Sequence, residues 1–271
     1  MSTPRQGRRL SLISTMHYIK LVYRSCLLLA AVAVYVVSRV RTGSGTMESL
    51  TRYPLVLAAI WVVFAVEMVL RFFPSKFESM GCQKQFGKNY DPVPEGETPP
   101  RGQGSRGVAA VAASWIALNG AIGALYFTHV IDAGILLLIS LTFSVCDMIC
   151  ILFFCPFQTW FMKNKCCTTC RIYNWDYPMM FTPLIFLPGI FTWSLVGLAL
   201  ALLAKWEIAY HAHPERFYET ANQSLACRNC REKLCHHKKA LRQLWRTQKQ
   251  VVQEKLPPLP GRTKKTPPEK I

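Results

Sequence analysis

The chain has 271 residues, enough for one or two soluble domains, yet its apolar residues are gathered into long runs. This arrangement excludes an ordinary soluble protein and predicts an all-α, multi-pass helical membrane protein with about five transmembrane segments. The formal net charge is +17, which fits a partner surface of anionic lipid headgroups in the bilayer better than nucleic acid.

Each predicted span follows from the rule that about 20 helical residues cross the hydrocarbon core of a bilayer. The spans cover residues 21–37, 54–70, 108–127, 133–155 and 182–204. The basic segment 1–20 precedes the first span, so a signal peptide with Ala31-Val32-Ala33 before its cleavage site is an alternative. The long lead and the basic residues that follow favour a retained helix.

Polar residues interrupt the first two spans. Arg24 is expected to extend its side chain towards the membrane surface. Glu67 and Arg71 lie four residues apart with the acid first, which predicts an ion pair along one helix. The Pro- and Gly-rich segment 72–107 then predicts a flexible linker without a core, in which Cys82 is an isolated thiol.

The third span carries a stripe of small residues. Alanine recurs every four residues, at Ala109, Ala113, Ala117 and Ala121. Small residues on one face let helices approach closely in lipid. The stripe therefore predicts packing against a neighbouring helix, either of this chain or of a membrane protein partner.

The fourth span contains an acid and two thiols, at Asp147, Cys146 and Cys150. A carboxylate inside a membrane is costly, so Asp147 is expected to face protein or water. Cys146 and Cys150 are four residues apart and share a helix face. The two thiols serve either as small apolar packing residues or as part of a functional site.

A cysteine-rich loop, residues 156–181, follows the fourth span. Cys166, Cys167 and Cys170 place three thiols within five residues, among basic side chains that are expected to lower thiol pKa values. This pattern predicts a cofactor-binding or redox site, with an iron–sulfur cluster as one possible occupant.

The basic tail, residues 205–271, carries a second cluster. Its candidate metal ligands are Cys227, Cys230, Cys235, His236 and His237. A Cys-x-x-Cys pair followed by further Cys or His is the usual ligand spacing of a tetrahedral zinc site. The tail is therefore predicted to bind zinc and, through its basic residues, anionic lipid headgroups.

The sidedness of the two cysteine clusters is left open by the sequence. With five simple spans, the cysteine-rich loop and the tail face opposite sides of a cell membrane. Both segments are basic, however, which is typical of cytoplasmic segments. Only a re-entrant segment 182–204 brings the clusters together, where they could share one site.

Two functions remain as hypotheses, and no common catalytic motif is present. In the first, the clustered cysteines bind a metal, zinc or an iron–sulfur centre, for a structural, sensing or electron-transfer role. In the second, the chain is a small transporter or channel-like subunit with Asp147 on the pathway.

Overall fold

The structure, a computed structural model, describes residues 11–42, 54–93, 105–164, 166–232 and 234–235. Its longer helices are α1 (Leu12–Thr42), α2 (Pro54–Leu70), α4 (Ser105–Phe127), α5 (Ala133–Leu152) and α7 (Ile190–Ala212). Two short helices are α3 (Met80–Gln83) and α6 (Asp176–Phe181). Short 3₁₀ helices form at Gly87–Asn89, Tyr173–Trp175, Thr182–Phe186, Pro214–Phe217, Gln223–Leu225 and Cys227–Asn229, and a short π-helix forms at Phe157–Phe161.

The fold is all-α, and in the described part of the chain the only β-type pairing is an isolated bridge between Pro92 and Asn222. Four of these helices are long and apolar enough to cross a membrane. These candidate spans are Leu12–Arg41, Arg106–Phe127, Ala133–Leu152 and Ile190–Ala212. The apolar helix α2 coincides with the predicted span 54–70 but is shorter than these four, so five spans are not confirmed.

The helices form a bundle with two distinct ends. One end, which we call the loop end, carries the start of α1 and the long connections 71–93, 153–175 and 213–235. The other, the turn end, carries the short turns 128–132 and 187–189.

Helices α1 and α5 run antiparallel and define these ends. Near the loop end the rings of Tyr18 and Phe153 lie 6.5 Å apart, edge to face. Near the turn end the Tyr35 hydroxyl donates a hydrogen bond of 3.0 Å to Asp132 Oδ2. Asp132 also caps α5, because its Oδ1 accepts from the backbone N–H of Ile135 at 2.9 Å.

The predicted span 182–204 differs from the structure, in which two segments replace it. Residues 176–186 run from the loop end, where Asp176 binds Arg71, to the turn end, where the Phe186 ring lies 5.7 Å from that of Phe127. Helix α7 then returns to the loop end. The break at Pro188 follows from the missing backbone N–H of proline, which interrupts a helix.

This reversal places the cysteine-rich loop and the start of the tail at the same end. The Trp206 indole, in the last turns of α7, donates a hydrogen bond of 3.0 Å to the carbonyl of Arg171. Arg171 also forms an ion pair with Glu207. In the structure the two cysteine clusters therefore share an end, although α7 is a full-length helix and not a re-entrant one.

The segment predicted as a coreless linker is in part a packed cap over the loop end. Within 79–93, Cys82 and Lys84 are fully buried, and Cys82 packs in one cluster with Cys170, Trp206 and Phe217. The linker prediction was based on the Pro- and Gly-rich composition of the whole segment 72–107. It therefore missed the packed part, residues 79–93. Residues 94–104 lie outside the described residues.

The described part of the tail also folds back onto the bundle. The buried Glu232 carboxylate accepts hydrogen bonds from Ser79 Oγ (2.7 Å) and the Met80 backbone N–H (2.8 Å), and its carbonyl accepts one from Ser14 Oγ (2.7 Å). Leu234 packs against Met148 at the end of α5. These contacts tie the tail to α1, α3 and α5.

Topology reporters provide a test of this arrangement. Reporters inserted at Asn164, in the cysteine-rich loop, and at Asn229, in the tail, are expected to label from one side of the membrane, and one at His129 from the other. This follows from the return of α7 to the loop end. Labelling of Asn164 and Asn229 from opposite sides would contradict the two-segment arrangement.

Candidate functional site

A buried network of charged side chains lies in the loop-end half of the bundle. The side chain of Arg24, in α1, is fully buried. The prediction that it extends towards the membrane surface is therefore wrong. Its Nη2 donates to Glu67 Oε2 at 2.9 Å, and its Nη1 donates to Asp147 Oδ2 and the Ser144 carbonyl, both at 3.1 Å. Arg24 therefore joins α2 and α5 through one guanidinium.

Glu67 and Arg71 do not pair with each other in the structure. Glu67 binds Arg24, Lys20 (3.3 Å) and the Tyr177 hydroxyl, which donates at 2.9 Å. Arg71 instead binds Asp176, with an Nη1–Oδ2 distance of 2.7 Å, and both side chains are nearly inaccessible. Buried charges need close partners, and here those partners come from other helices.

A cavity of about 130 Å³ lies beside this network, between α4, α5, α6 and the cysteine-rich loop. Asp147 and Asp176 both line it, so two of the carboxylates that bind an arginine also face the cavity. Its cysteine lining consists of Cys146, Cys150, Cys155, Cys167 and Cys170. We call this the thiol cavity.

The thiol cavity is rich in sulfur. Met179 and Met180 also line it, so seven of its sixteen lining residues carry sulfur. The whole chain has 11 cysteines and 9 methionines among 271 residues. The folding of the loop against α5 thus concentrates sulfur-bearing side chains in one place, well beyond their share of the whole sequence.

Polar contacts link four of the lining residues, in part through the backbone of Gln158. The side chains of Cys150 and Cys155, on either side of the end of α5, lie close enough for their thiols to interact. The Cys155 sulfur accepts from the Gln158 backbone N–H at 3.4 Å, and the Cys167 thiol donates to Gln158 Oε1 at 3.0 Å. Cys146, one turn before Cys150, is exposed and lies at the rim.

Lys84 of the cap holds the cysteine-rich loop in place. Its buried Nζ donates to the carbonyls of Thr168 (2.9 Å) and Cys170 (2.7 Å) and lies 5.2 Å from the centre of the Trp206 ring. Burial lowers the pKa of Lys84 to about 7. The loop is therefore attached to the cap through a lysine that ionises near neutral pH.

The three cysteines predicted as a cofactor site have different surroundings. Burial raises the pKa of Cys170 to about 11, despite the nearby Lys84, so its thiol is not activated as the basic sequence suggested. Cys166 and Thr168 share a hydrogen bond of 3.0 Å between side chains, and Cys166 does not line the thiol cavity. Cys167 and Cys170 do line it.

The tail cysteines lie on the surface of the cap. Cys227 and Cys235 are exposed and Cys230 is half-buried, whereas His236 and His237 lie outside the described residues. The carboxylate of Glu219 raises the pKa of Cys227, because a nearby negative charge disfavours the thiolate.

No group of three or more His, Cys, Asp and Glu side chains among the described residues converges on a point where it could hold a metal ion. A preformed tetrahedral zinc or four-thiolate iron–sulfur site is therefore absent from the described part of the chain. The complete tail set, which needs His236 or His237, stays a prediction.

Sequence reasoning identified Asp147, Cys146, Cys150, Cys167 and Cys170 but missed the other half of the site. Arg24 and Asp176 were not connected to Asp147, because their partners are distant in sequence. The sequence signal that could have found them is charge balance, because an acidic residue within one apolar span indicates a basic partner within another apolar span.

Comparison with known proteins adds no family to this description. No protein family, curated protein or solved structure matches the chain. The functional argument therefore rests on the thiol cavity and the buried charges beside it.

Proposed function

We propose that this is a multi-pass membrane protein that binds a soft monovalent metal ion, Cu(I), as cargo in the thiol cavity. The observation that carries the proposal is a cavity wall in which seven of the sixteen residues carry sulfur, with Cys150 and Cys155 as neighbours among them. Thiolate and thioether ligands select Cu(I) over hard cations. Cu(I) also accepts two ligands in line, so it does not need a preformed set of three.

The oxygen atoms of the thiol cavity support a soft ion over a hard one. Asp147 and Asp176, its two carboxylates, are already held by Arg24 and Arg71. The Gln158 side-chain oxygen accepts from Cys167. Magnesium and calcium need several available oxygen ligands, whereas sulfur is what this wall supplies in excess.

The charge distribution supports an orientation with the loop end in the cytoplasm. Near the loop end the described chain carries Arg71, Lys76, Lys84, Lys88, Arg106, Lys163, Arg171, Lys205, Arg216, Arg228 and Arg231. Near the turn end the described basic residues are Arg39 and Arg41. Because cytoplasmic loops carry the excess of Lys and Arg, the thiol cavity opens towards the reducing side of a cell membrane, with the basic tail near anionic lipids.

A Cu(I) titration tests the proposal. Cysteines 227, 230 and 235 are first replaced by Ser, so that the tail does not compete for copper. This background protein, purified in detergent without oxygen, is titrated with Cu(I) against a coloured chelator. We expect one tightly bound Cu(I), and a loss of at least about tenfold to a hundredfold in affinity for Cys150→Ser and for Cys155→Ser.

Cys26→Ser provides the matched control, because Cys26 is an exposed thiol of α1 that does not line the thiol cavity. It is expected to leave Cu(I) affinity unchanged. Equal affinity in the Cys150 and Cys155 variants, or formation of a Cys150–Cys155 disulfide in place of binding, would reject the copper proposal. The zinc content of the parent against the background protein separately measures the predicted tail site.

A further inference from the structure

A second cavity lies at the turn end of the bundle, where α4 ends and α5 begins, and we call it the turn-end cavity. Its volume is about 600 Å³, within the usual range for small-molecule sites. Phe186 and Pro188 complete its lining from the segment before α7. The turn-end cavity shares no lining residue with the thiol cavity, so a ligand bound here is independent of the proposed copper site.

Three aromatic side chains of this cavity, Tyr126, Phe127 and Phe186, form what we call the aromatic wall. The ring of Phe127 lies 5.5 Å from that of Tyr126 and 5.7 Å from that of Phe186, both edge to face. Phe127 is 67% exposed, so the wall is accessible to a ligand. Aromatic rings grouped in this way bind quaternary ammonium ions, because the ring faces carry negative partial charge.

Gly123 of α4 makes room for the aromatic wall. A Cβ atom at this position would lie 2.6 Å from Cζ of Phe186, too close for a real side chain. The Phe186 ring therefore depends on a glycine to approach α4. At Gly120, three residues earlier on the same helix, a Cβ atom would meet nothing within 4 Å. The two glycines thus differ in whether they support the wall.

Asp132 provides a negative charge beside the aromatic wall. It lines the cavity, and its side chain is 28% exposed. Both carboxylate oxygens already accept hydrogen bonds, Oδ1 from the Ile135 backbone N–H at 2.9 Å and Oδ2 from the Tyr35 hydroxyl at 3.0 Å. A primary ammonium has three donors that need acceptors, whereas a quaternary ammonium has none. The carboxylate therefore suits a quaternary ammonium, which it can attract through charge alone.

Arg39 adds a positive charge next to Asp132. Its Nη2 lies 3.9 Å from Asp132 Oδ2, and its side chain is 51% exposed. Guanidinium groups bind phosphate through parallel hydrogen bonds. An aromatic wall with a carboxylate, beside an exposed guanidinium, matches a zwitterion in which a quaternary ammonium is joined to a phosphate through a short linker.

We propose that the turn-end cavity binds the phosphocholine headgroup of a membrane phospholipid. The trimethylammonium group lies against the aromatic wall with the Asp132 carboxylate beside it, and the phosphate pairs with the Arg39 guanidinium. Binding makes and breaks no covalent bond. This inference rests on the membrane placement in the proposed function, but it does not require that the protein binds Cu(I).

The position of the cavity favours a lipid over a soluble phosphocholine compound. The turn end is where two helices long enough to cross a membrane, α4 and α5, are joined by a short turn. Tyr126 and Tyr35 lie near this end, as is typical of the membrane–water interface. Helix α4 also exposes Ile116, Leu118 and Leu125, an apolar surface along which acyl chains can extend from the cavity.

The lipid selectivity of the parent protein tests the proposal without any variant. The protein in a maltoside detergent is titrated with phosphatidylcholine, phosphatidylethanolamine or phosphatidylglycerol of equal chain length, and bound lipid is counted by native mass spectrometry. We expect one tight site with at least about tenfold higher affinity for phosphatidylcholine, the one lipid of the three with a quaternary ammonium. Free phosphocholine is expected to compete about a hundredfold less well, because it has no acyl chains to bury.

Two glycine variants then locate the site. Gly123→Ala displaces the Phe186 ring and is expected to weaken phosphatidylcholine binding about tenfold. Gly120→Ala, the matched control, is expected to leave it unchanged. Asp132→Asn keeps a side chain that caps α5 but removes the charge, so it is expected to reduce the preference for phosphatidylcholine even if Gly123→Ala does not fold.

Each measurement has an outcome that would overturn the proposal. Equal affinity for the three lipids, equal binding by the two glycine variants, or an unchanged preference in Asp132→Asn would reject the phosphocholine site. Free phosphocholine that competes as well as the lipid would reject a lipid as the ligand. Because these titrations contain no copper, their failure is distinct from a failure of the Cu(I) proposal.

Discussion

Replacing Arg24 by Leu is expected to destabilise the folded bundle by about 3–5 kcal/mol, the usual consequence of removing one partner of a buried ion pair. The variant leaves the carboxylates of Glu67 and Asp147 without the cation that they share. Thermal unfolding in detergent, followed by tryptophan fluorescence, measures the change. We expect a large drop in the midpoint and a reduced yield of assembled protein.

Arg39→Leu is the matched control for this experiment. Arg39 lies on the same helix, is 51% exposed, and approaches Asp132 at 3.9 Å. An exposed pair of this kind contributes little, so the midpoint is expected to stay near that of the parent. Equal destabilisation of the two variants would mean that the buried network has no special role.

A combined variant separates lost charge balance from lost packing. Glu67→Gln and Asp147→Asn, added to Arg24→Leu, remove the two unbalanced carboxylates while keeping the shape of both side chains. We expect recovery of a substantial part of the stability, because a neutral buried site avoids the cost of uncompensated charges. If the combined variant recovers no stability, the effect of Arg24→Leu comes from lost packing alone.

The same residues show how far the sequence could predict the structure. Hydropathy alone suggested that Arg24 would extend to the membrane surface, because it carries no information on partners distant in the chain. The partner carboxylate Asp147 lies on a helix more than a hundred residues later. Helix α2 and most of α4 coincide with predicted spans, because no proline follows the first residue of either apolar run.

The region around Pro188 was the main obstacle to a correct topology. Its apolar run continues across Pro183, Pro188 and Gly189, so a hydropathy window merges two segments that run in opposite directions. The prolines were a usable signal, since each removes a helical hydrogen bond. Choosing a reversal over a kink needed the contact of Phe186 with Phe127, which no local pattern encodes.

The thiol cavity was partly visible in the sequence. Cysteine spacing marked Cys146, Cys150, Cys167 and Cys170 as candidates, and their clustering within one stretch suggested a common site. The contact between Cys150 and Cys155 depends on how the chain turns after α5 ends at Leu152. A turn of that kind is set by tertiary packing and not by the cysteine pattern.

Lys84 supplies the second large effect, a stability that rises with pH. Its pKa is lowered by burial from the ordinary value of 10.5 to about 7 in the folded protein. Between these values the unfolded chain binds a proton that the folded chain does not, so the free energy of unfolding increases as pH rises. The slope approaches about 1.4 kcal/mol per pH unit.

The useful window for this measurement runs from about pH 7 to about pH 8.5, below the ionisation of ordinary thiols. Above it the buried Cys82 and Cys170, whose pKa values are raised, act in the opposite direction, because the unfolded chain loses their protons first. Chemical unfolding in detergent at several pH values within the window is expected to show the rise in the free energy of unfolding.

Lys84→Met, which keeps a long apolar side chain without a titrating group, is expected to lose this rise. Lys88→Met, at an exposed position of the same segment, is expected to retain it. A slope that survives in Lys84→Met would show that another group is responsible, and that the cysteine-rich loop is not held by a lysine that titrates near neutral pH.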